Sequence, residues 1–249
     1  MIKDKGFIHP ADPDFSCRLR YSQLSSELQQ NGLNLAKIEE SRTVFTEEAG
    51  EHYWVKPEAY RPTGVALGCP LPDEDMTTLL WTVAYLAEQF MCAQAHSRPL
   101  FAFVPREWYH VTVVNRSHFD CDRNIIGLDN GEFEKAKEIV HHGLGPIGIR
   151  FTGLILTADG RLIVPGYPTD GRFYALTREL STRIQPLSRN LPLTAHIKIG
   201  HVTWPLDKEL IKVFVDELTR YGEGISASLL FRSAYTPAGN IPLDDDTVK

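Results

Sequence analysis

The sequence predicts an α+β fold with two sheet-bearing lobes, and three observations carry that prediction. Stretches of helical period alternate with short β-branched runs from Gly64 onward. Two of those runs, "WYHVTVV" at 108–114 and "IGHVTW" at 199–204, each place a histidine two residues before a threonine. Asp159-Gly160 separates two further β-rich runs and reads as a hairpin turn.

The bulk values fit an ordinary globular chain. It has 249 residues, 43% hydrophobic and 23% charged, which suffices for a large hydrophobic core. The start, "MIKDKGFIHPADPDF", contains no apolar h-region, so no secretory signal is expected. The most apolar stretch, "TLLWTVAYLAEQFMCAQA", is interrupted by Glu88 and Gln89 and predicts a core helix, not a membrane span. Cys17, Cys69, Cys92 and Cys121 lie far apart without a C-x-x-C pair, as expected of reduced thiols in a cytoplasmic protein. In that compartment the sequon at Asn115-Arg116-Ser117 stays idle. A net charge of −6 and a pI of about 5.8 argue against a long nucleic-acid duplex as partner. A small nucleotide or a short RNA end suits this balance better. The oligomeric state has no signature.

Residues 1–60 read as an N-terminal extension of unclear structure, and 61–249 as the main, bilobal domain. Within the extension, "SQLSSELQQNGLNLAKIEE" predicts a helix, followed by a polar stretch rich in turn formers. Val65 to Gly68 is a short strand. Residues 73–94 place Met76, Leu79, Leu80, Val83, Leu86, Phe90 and Met91 at helical spacing after an acidic first turn. "LFAFV" and "WYHVTVV" are strands punctuated by Pro105. Residues 131–143 form a charged amphipathic helix, and 147–168 the hairpin. A helix over "DGRFYALTRELSTRIQPL", a strand over "AHIKIGHVTW", a helix over "LDKELIKVFVDELTRYG" and a last strand over "ISASLLFRSAY" complete the order. Each half thus places a helix before, and a strand upon, a His-x-Thr, a weak internal repeat.

Strand geometry gives the spacing its chemistry. Side chains two apart point to one sheet face, so His110 pairs with Thr112, and His201 with Thr203 and Ile199. Each strand then offers an imidazole beside a hydroxyl. One imidazole can accept a proton while the other donates one, and threonine hydroxyls can hydrogen-bond non-bridging phosphate oxygens. That set serves phosphodiester chemistry and requires no metal or other cofactor. With nine histidines, chance supplies roughly one H-x-[ST]. The second copy, in another strand with two helices and a hairpin between, gives the signal its weight.

Two such motifs, His110-Val111-Thr112-Val113 and His201-Val202-Thr203-Trp204, resemble the 2H (two-histidine) phosphoesterase superfamily, which includes 2′-5′ RNA ligase-like proteins and cyclic nucleotide phosphodiesterases. The resemblance runs from Val65 to Tyr235. It implies two mainly antiparallel β-sheets with flanking helices, related by a pseudo-twofold around a central cleft. It also implies His110 and His201 as the catalytic proton-transfer pair, and Thr112 and Thr203 as phosphate-binding hydroxyls. The implied reaction is metal-independent cleavage or closure of 2′,3′-cyclic or 2′-5′ phosphodiester linkages. Which histidine is base and which acid stays open, as do substrate and direction. The alternative is a non-catalytic nucleotide or RNA-end binding protein on the same fold.

Rival constellations are weaker. A metal site of His196 with His110, His118, Asp120 and Asp122 is disfavoured, because residues five apart in a strand face opposite ways. By the same parity Lys198 is expected to face away from His201. "DCDRNIIGLDNGE" has Ile125 where a calcium loop needs glycine, and reads as a loop with a helix cap at Asp129 or Asn130. His141-His142 suits a helix C-terminus. "GLGPIG" lacks phosphate-loop spacing. Tyr60 and Arg61 are read as structural.

Overall fold

The computed structural model describes residues 13–42, 45–48, 52–55, 64–68, 74–94, 100–115, 130–184, 194–236 and 239–242. Two helices come first among the described residues where one was expected: α1 (Pro13–Asn31) and α2 (Leu35–Arg42). Gly32 breaks them apart, with φ at 72° and its N–H donating to the Leu28 carbonyl, a helix ending that favours glycine. Asn34 then caps α2 by accepting from the Lys37 N–H. The polar segment beyond contains two short strands, β1 (Phe45–Glu48) and β2 (His52–Val55), paired antiparallel. Four residues apiece are too few for a period to declare itself.

β3 (Gly64–Gly68), α3 (Glu74–Gln94), β4 (Phe101–Phe103) and β5 (His110–Asn115) come as the sequence predicts. A 3₁₀ turn over Arg106–Trp108 takes Trp108, the first residue of the expected second strand. Then follow α4 (Asn130–His141), β6 (Ile147–Thr152), β7 (Ile155–Leu156) and β8 (Arg161–Pro168). The expected hairpin is therefore three strands, because Gly153 at φ 75° interrupts its first arm. β7 pairs with the start of β8 across the Asp159-Gly160 turn, and β6 with its end. α5 (Arg172–Arg183), β9 (Ala195–Val202) and α6 (Lys208–Gly222) follow. The last expected strand splits into β10 (Ser226–Phe231), on β6, and β11 (Ser233–Thr236), on β3, with β12 (Gly239–Pro242) beside it.

The fold is α+β with mainly antiparallel pairing; β2 and β4 are the parallel neighbours. The two separate sheets expected are instead hydrogen-bonded into one network, ordered β1-β2-β4-β9-β5-β3-β11-β12, and β9 is its branch point. One edge of β9 takes β8 along its length. The other meets β5 at Ile197 and β4 from Gly200 to Val202. An eight-residue strand is long enough to serve both partners in succession.

One apolar core joins the helices to this sheet. α3 lies against β4, β9 and α6, and α5 against β5. Residues of the N-terminal extension belong to the same core: Cys17, Tyr21, Leu24, Leu28, Leu33 and Ile38 are all buried in it. The hydroxyl of Tyr21 donates to the Ala195 carbonyl at 2.6 Å and accepts from the Gly166 N–H at 3.1 Å, bridging the end of the β8–β9 ladder. Position 60, where a domain boundary was expected, lies outside the described residues. Among those residues no helix is long and apolar enough to cross a membrane.

Candidate functional site

Register decides which side chains meet. β5 and β9 pair antiparallel through Val111 and Ile197, both fully buried on the core face. That register sets His110 beside Lys198, and Thr112 beside His196, on the opposite face. Strict alternation from Ile197 would then send His201 into the core with Ile199. A β-bulge prevents it. Leu162 of β8 pairs with Gly200 and Ile163 with Lys198, so Ile199 is the extra residue on β9. Beyond the bulge His201 pairs with Arg161 on one side and Ala102 on the other, facing the same way as Lys198 and His196.

The parity expected for this strand is thus corrected. His201 does not share a face with Ile199, which is fully buried in the core. Neither Lys198 nor His196 faces away from His201. No pattern of apolar letters announces a bulge; Gly200 was the one local hint.

Of the four residues singled out from the sequence, His110 stands level with Lys198, three residues before His201, whereas Thr112 stands level with His196, toward the opposite end of β9 from Thr203. His110 and Thr112 are half-buried on β5, and His201 is buried on β9. Thr203 lies one residue past the strand, its N–H donating to the Leu100 carbonyl. Its side chain is 1% exposed, and its Oγ1 has no hydrogen-bond partner among the described residues. Small residues flank the motifs: Gly68 pairs with His110, Ala66 with Thr112 and Ala102 with His201. None of these has a side chain long enough to overhang a neighbouring ring or hydroxyl.

Both imidazoles are held in the same tautomer. Nδ1 of His110 lies 2.7 Å from the Trp108 carbonyl oxygen, and Nδ1 of His201 lies 2.7 Å from that of Val202. A carbonyl oxygen can only accept, so each Nδ1 carries the proton and each Nε2 the lone pair. The 3₁₀ turn before β5 presents the carbonyl to His110. For His201 the acceptor is the next residue's own carbonyl, whose N–H donates to Gly160. That glycine, at φ 85°, sits so close that a β-carbon there would lie 3.1 Å from Cε1 of His201 and 2.3 Å from Ile38.

The remaining charges come from the turn before β8 and from β9. Asp159 accepts from the Thr157 hydroxyl and pairs with Arg161 at 2.9 Å. Burial pushes its carboxyl up, but the Arg161 charge and the hydrogen bonds from Thr157 and Arg161 outweigh that and hold it below the usual range. Burial lowers His201 to about 4, assisted by the Lys198 charge and resisted by the Val202 hydrogen bond and Asp159. His110 is lowered by burial and by Lys198, against the Trp108 hydrogen bond. His196 falls to about 3 through burial and the charges of Arg161 and His110. Lys198 falls to about 8 through burial and Arg161. At neutral pH the face therefore carries neutral imidazoles around a charged lysine, with Arg161 held by Asp159.

Such a face can bind an anion and exchange protons with it. The rival metal reading drew on His118, Asp120 and Asp122, which with Ile125, Tyr60 and Arg61 lie outside the described residues. His141 closes α4 as expected. Lys198, Arg161 and Asp159 are the members that sequence reasoning missed. No protein-family model matches the chain, and no curated protein matches it.

Proposed function

We propose that the chain is a phosphodiesterase of the two-histidine type. It would act on 2′,3′-cyclic or 2′-5′ linkages of a nucleotide or RNA end, with His110 and His201 as the proton-transfer pair. The observation that carries this reading is the matched tautomer of the two rings on neighbouring strands. Each Nδ1 is anchored to a carbonyl, which leaves the basic lone pair on Nε2 of both histidines, and the register puts both residues on one face of the sheet.

The chemistry follows from that arrangement. A phosphodiester between the rings has an attacking oxygen on one side of phosphorus and a leaving oxygen on the other. One imidazole removes a proton from water, or from a ribose hydroxyl in the reverse direction. The other returns a proton to the leaving ribose oxygen. Both rings are neutral in the free protein at pH 7. The negative charge of a bound phosphate favours protonation of its neighbours, and so loads the acid partner on binding. The Thr112 and Thr203 hydroxyls donate to non-bridging oxygens, where charge builds in the transition state. The orphan hydroxyl of Thr203 supports this role, since a phosphate oxygen would satisfy it. On this reading the two motifs are corresponding parts of two lobes about a pseudo-twofold axis, which the helix-before-strand order of both halves supports.

The test is turnover on a panel of 2′,3′-cyclic nucleotides and 2′-5′ linked dinucleotides, with chelator present. His110→Ala and His201→Ala should each lower kcat by about 10²-fold or more. Full activity in either variant would sink the assignment. Binding without turnover, unchanged by His→Gln at either site, would favour a non-catalytic nucleotide-binding protein.

A further inference from the structure

The bulge that turns His201 toward His110 has a second result: it leaves Lys198 between them. Lys198 stands beside His110 across the β5–β9 pairing and three residues before His201 on the same face. Neighbouring strands lie about 5 Å apart, and residues two apart along a strand about 7 Å. A phosphate within hydrogen-bond reach of both imidazoles must then lie over the lysine that separates them. The β8 residue opposite Lys198 is Ile163, which is apolar and buried. Among the described residues, the charged and titratable groups facing it include His110 from β5, His196 and His201 from β9, and Arg161 with Asp159 from β8 and its turn. Asp159 is already engaged by Arg161 and Thr157.

We infer that Lys198 is the phosphate-holding cation of this site. Its ammonium would contact the non-bridging oxygens between the two imidazoles and stabilise the charge that develops there. The inference rests on the phosphodiesterase reading for the substrate, but the anion site it describes is measurable without turnover. Half-buried surroundings strengthen an ammonium–phosphate contact relative to bulk water. Burial first, and then the same charge, lowers both imidazoles and keeps them neutral until a phosphate arrives.

Three readouts on wild type, Lys198→Met and Lys198→Arg test it. The first is affinity for inorganic phosphate, followed by the imidazole proton resonances. Lys198→Met should weaken it tenfold or more, and Lys198→Arg should recover most of it. The second is the titration of His110 and His201 without phosphate. Both should move to higher pH in Lys198→Met, a response that a merely structural lysine would not give. The third is turnover on the cyclic nucleotide panel, where Lys198→Met should lose roughly 10²-fold or more in kcat. Unchanged phosphate affinity and unchanged imidazole titration in Lys198→Met would overturn the inference, whatever the turnover. A wild type without turnover, whose phosphate affinity still depends on Lys198, would overturn the phosphodiesterase reading and support the anion site.

Discussion

Gly200 lies beneath the ring of Phe101 so closely that a β-carbon would fall 1.8 Å from its Cζ. The contact explains why the bulge sits where it does. Ile199 and Gly200 are the two residues that share one place in the β9 ladder, and the core above them is already filled by Phe101, edge-to-face with Phe103. Phe103 is in turn 6.0 Å from the ring of Trp81 on α3. Gly200→Ala should therefore cost about 1–3 kcal/mol or more of stability, as overpacked cores do. If the strand relieves the clash by giving up the bulge, His201 turns toward the core and turnover falls with it. Urea unfolding and the cyclic nucleotide assay check the two effects. A stable, fully active variant would show that the bulge does not depend on Phe101.

How much of this was legible in the sequence depends on the period each element carries. α3 and α6 declare themselves because their apolar residues recur over several turns, with Asp207 capping α6 through the Leu210 N–H. β5 and β9 were visible as β-branched runs, and the Asp159-Gly160 turn as a hairpin signal. What failed was the inference from strand to face. Alternation assigns His201 and Lys198 to opposite faces, and a single inserted residue reverses that for everything beyond it. The insertion lies against Phe101, distant in sequence, so in "HIKIGHVTW" only Gly200 hints at it. His110 and His201 were singled out by their repeated motif, and the parity argument built on that motif is one that β9 does not obey. The place of α1 in the core was not legible for the same reason. Its anchors, Tyr21 to Ala195 and Cys17 beside Tyr174, are long-range contacts.

Thr203 offers a substitution in which stability and function move apart. A buried hydroxyl without a partner costs about 1–3 kcal/mol, so Thr203→Val, nearly the same in shape, should leave thermal stability unchanged or raise it. If that hydroxyl serves a phosphate oxygen, the same variant should lose phosphate affinity and lower kcat by about tenfold or more. A calorimetric midpoint together with a phosphate titration separates the effects. A destabilised Thr203→Val with intact phosphate binding would mean that the hydroxyl works for the fold.

The buried histidines should also shape stability against pH. His201 titrates at about 4 and His196 at about 3 in the folded chain, against about 6.5 when unfolded. Above pH 6.5 both are neutral in either state, and their contribution is at its maximum. As pH falls below 6.5 the unfolded chain takes up protons first. Stability then declines, by at most about 1.4 kcal/mol per pH unit for each ring, until about 4 for His201 and about 3 for His196. Asp159, held below the usual carboxylate range, adds a loss at the acid end of that window as it is protonated. Lys198 acts at the other extreme. It titrates at about 8 folded and about 10.4 unfolded, so its contribution rises as pH climbs through that interval. Urea midpoints measured from pH 3 to 10 should show both limbs. His196→Gln and His201→Gln should each flatten the acid limb above pH 4, and Lys198→Met should remove the alkaline rise. An acid limb with the same slope in the double glutamine variant would mean that these imidazoles are not buried neutral, and the matched tautomers on which the proton-transfer pair depends would fail with it.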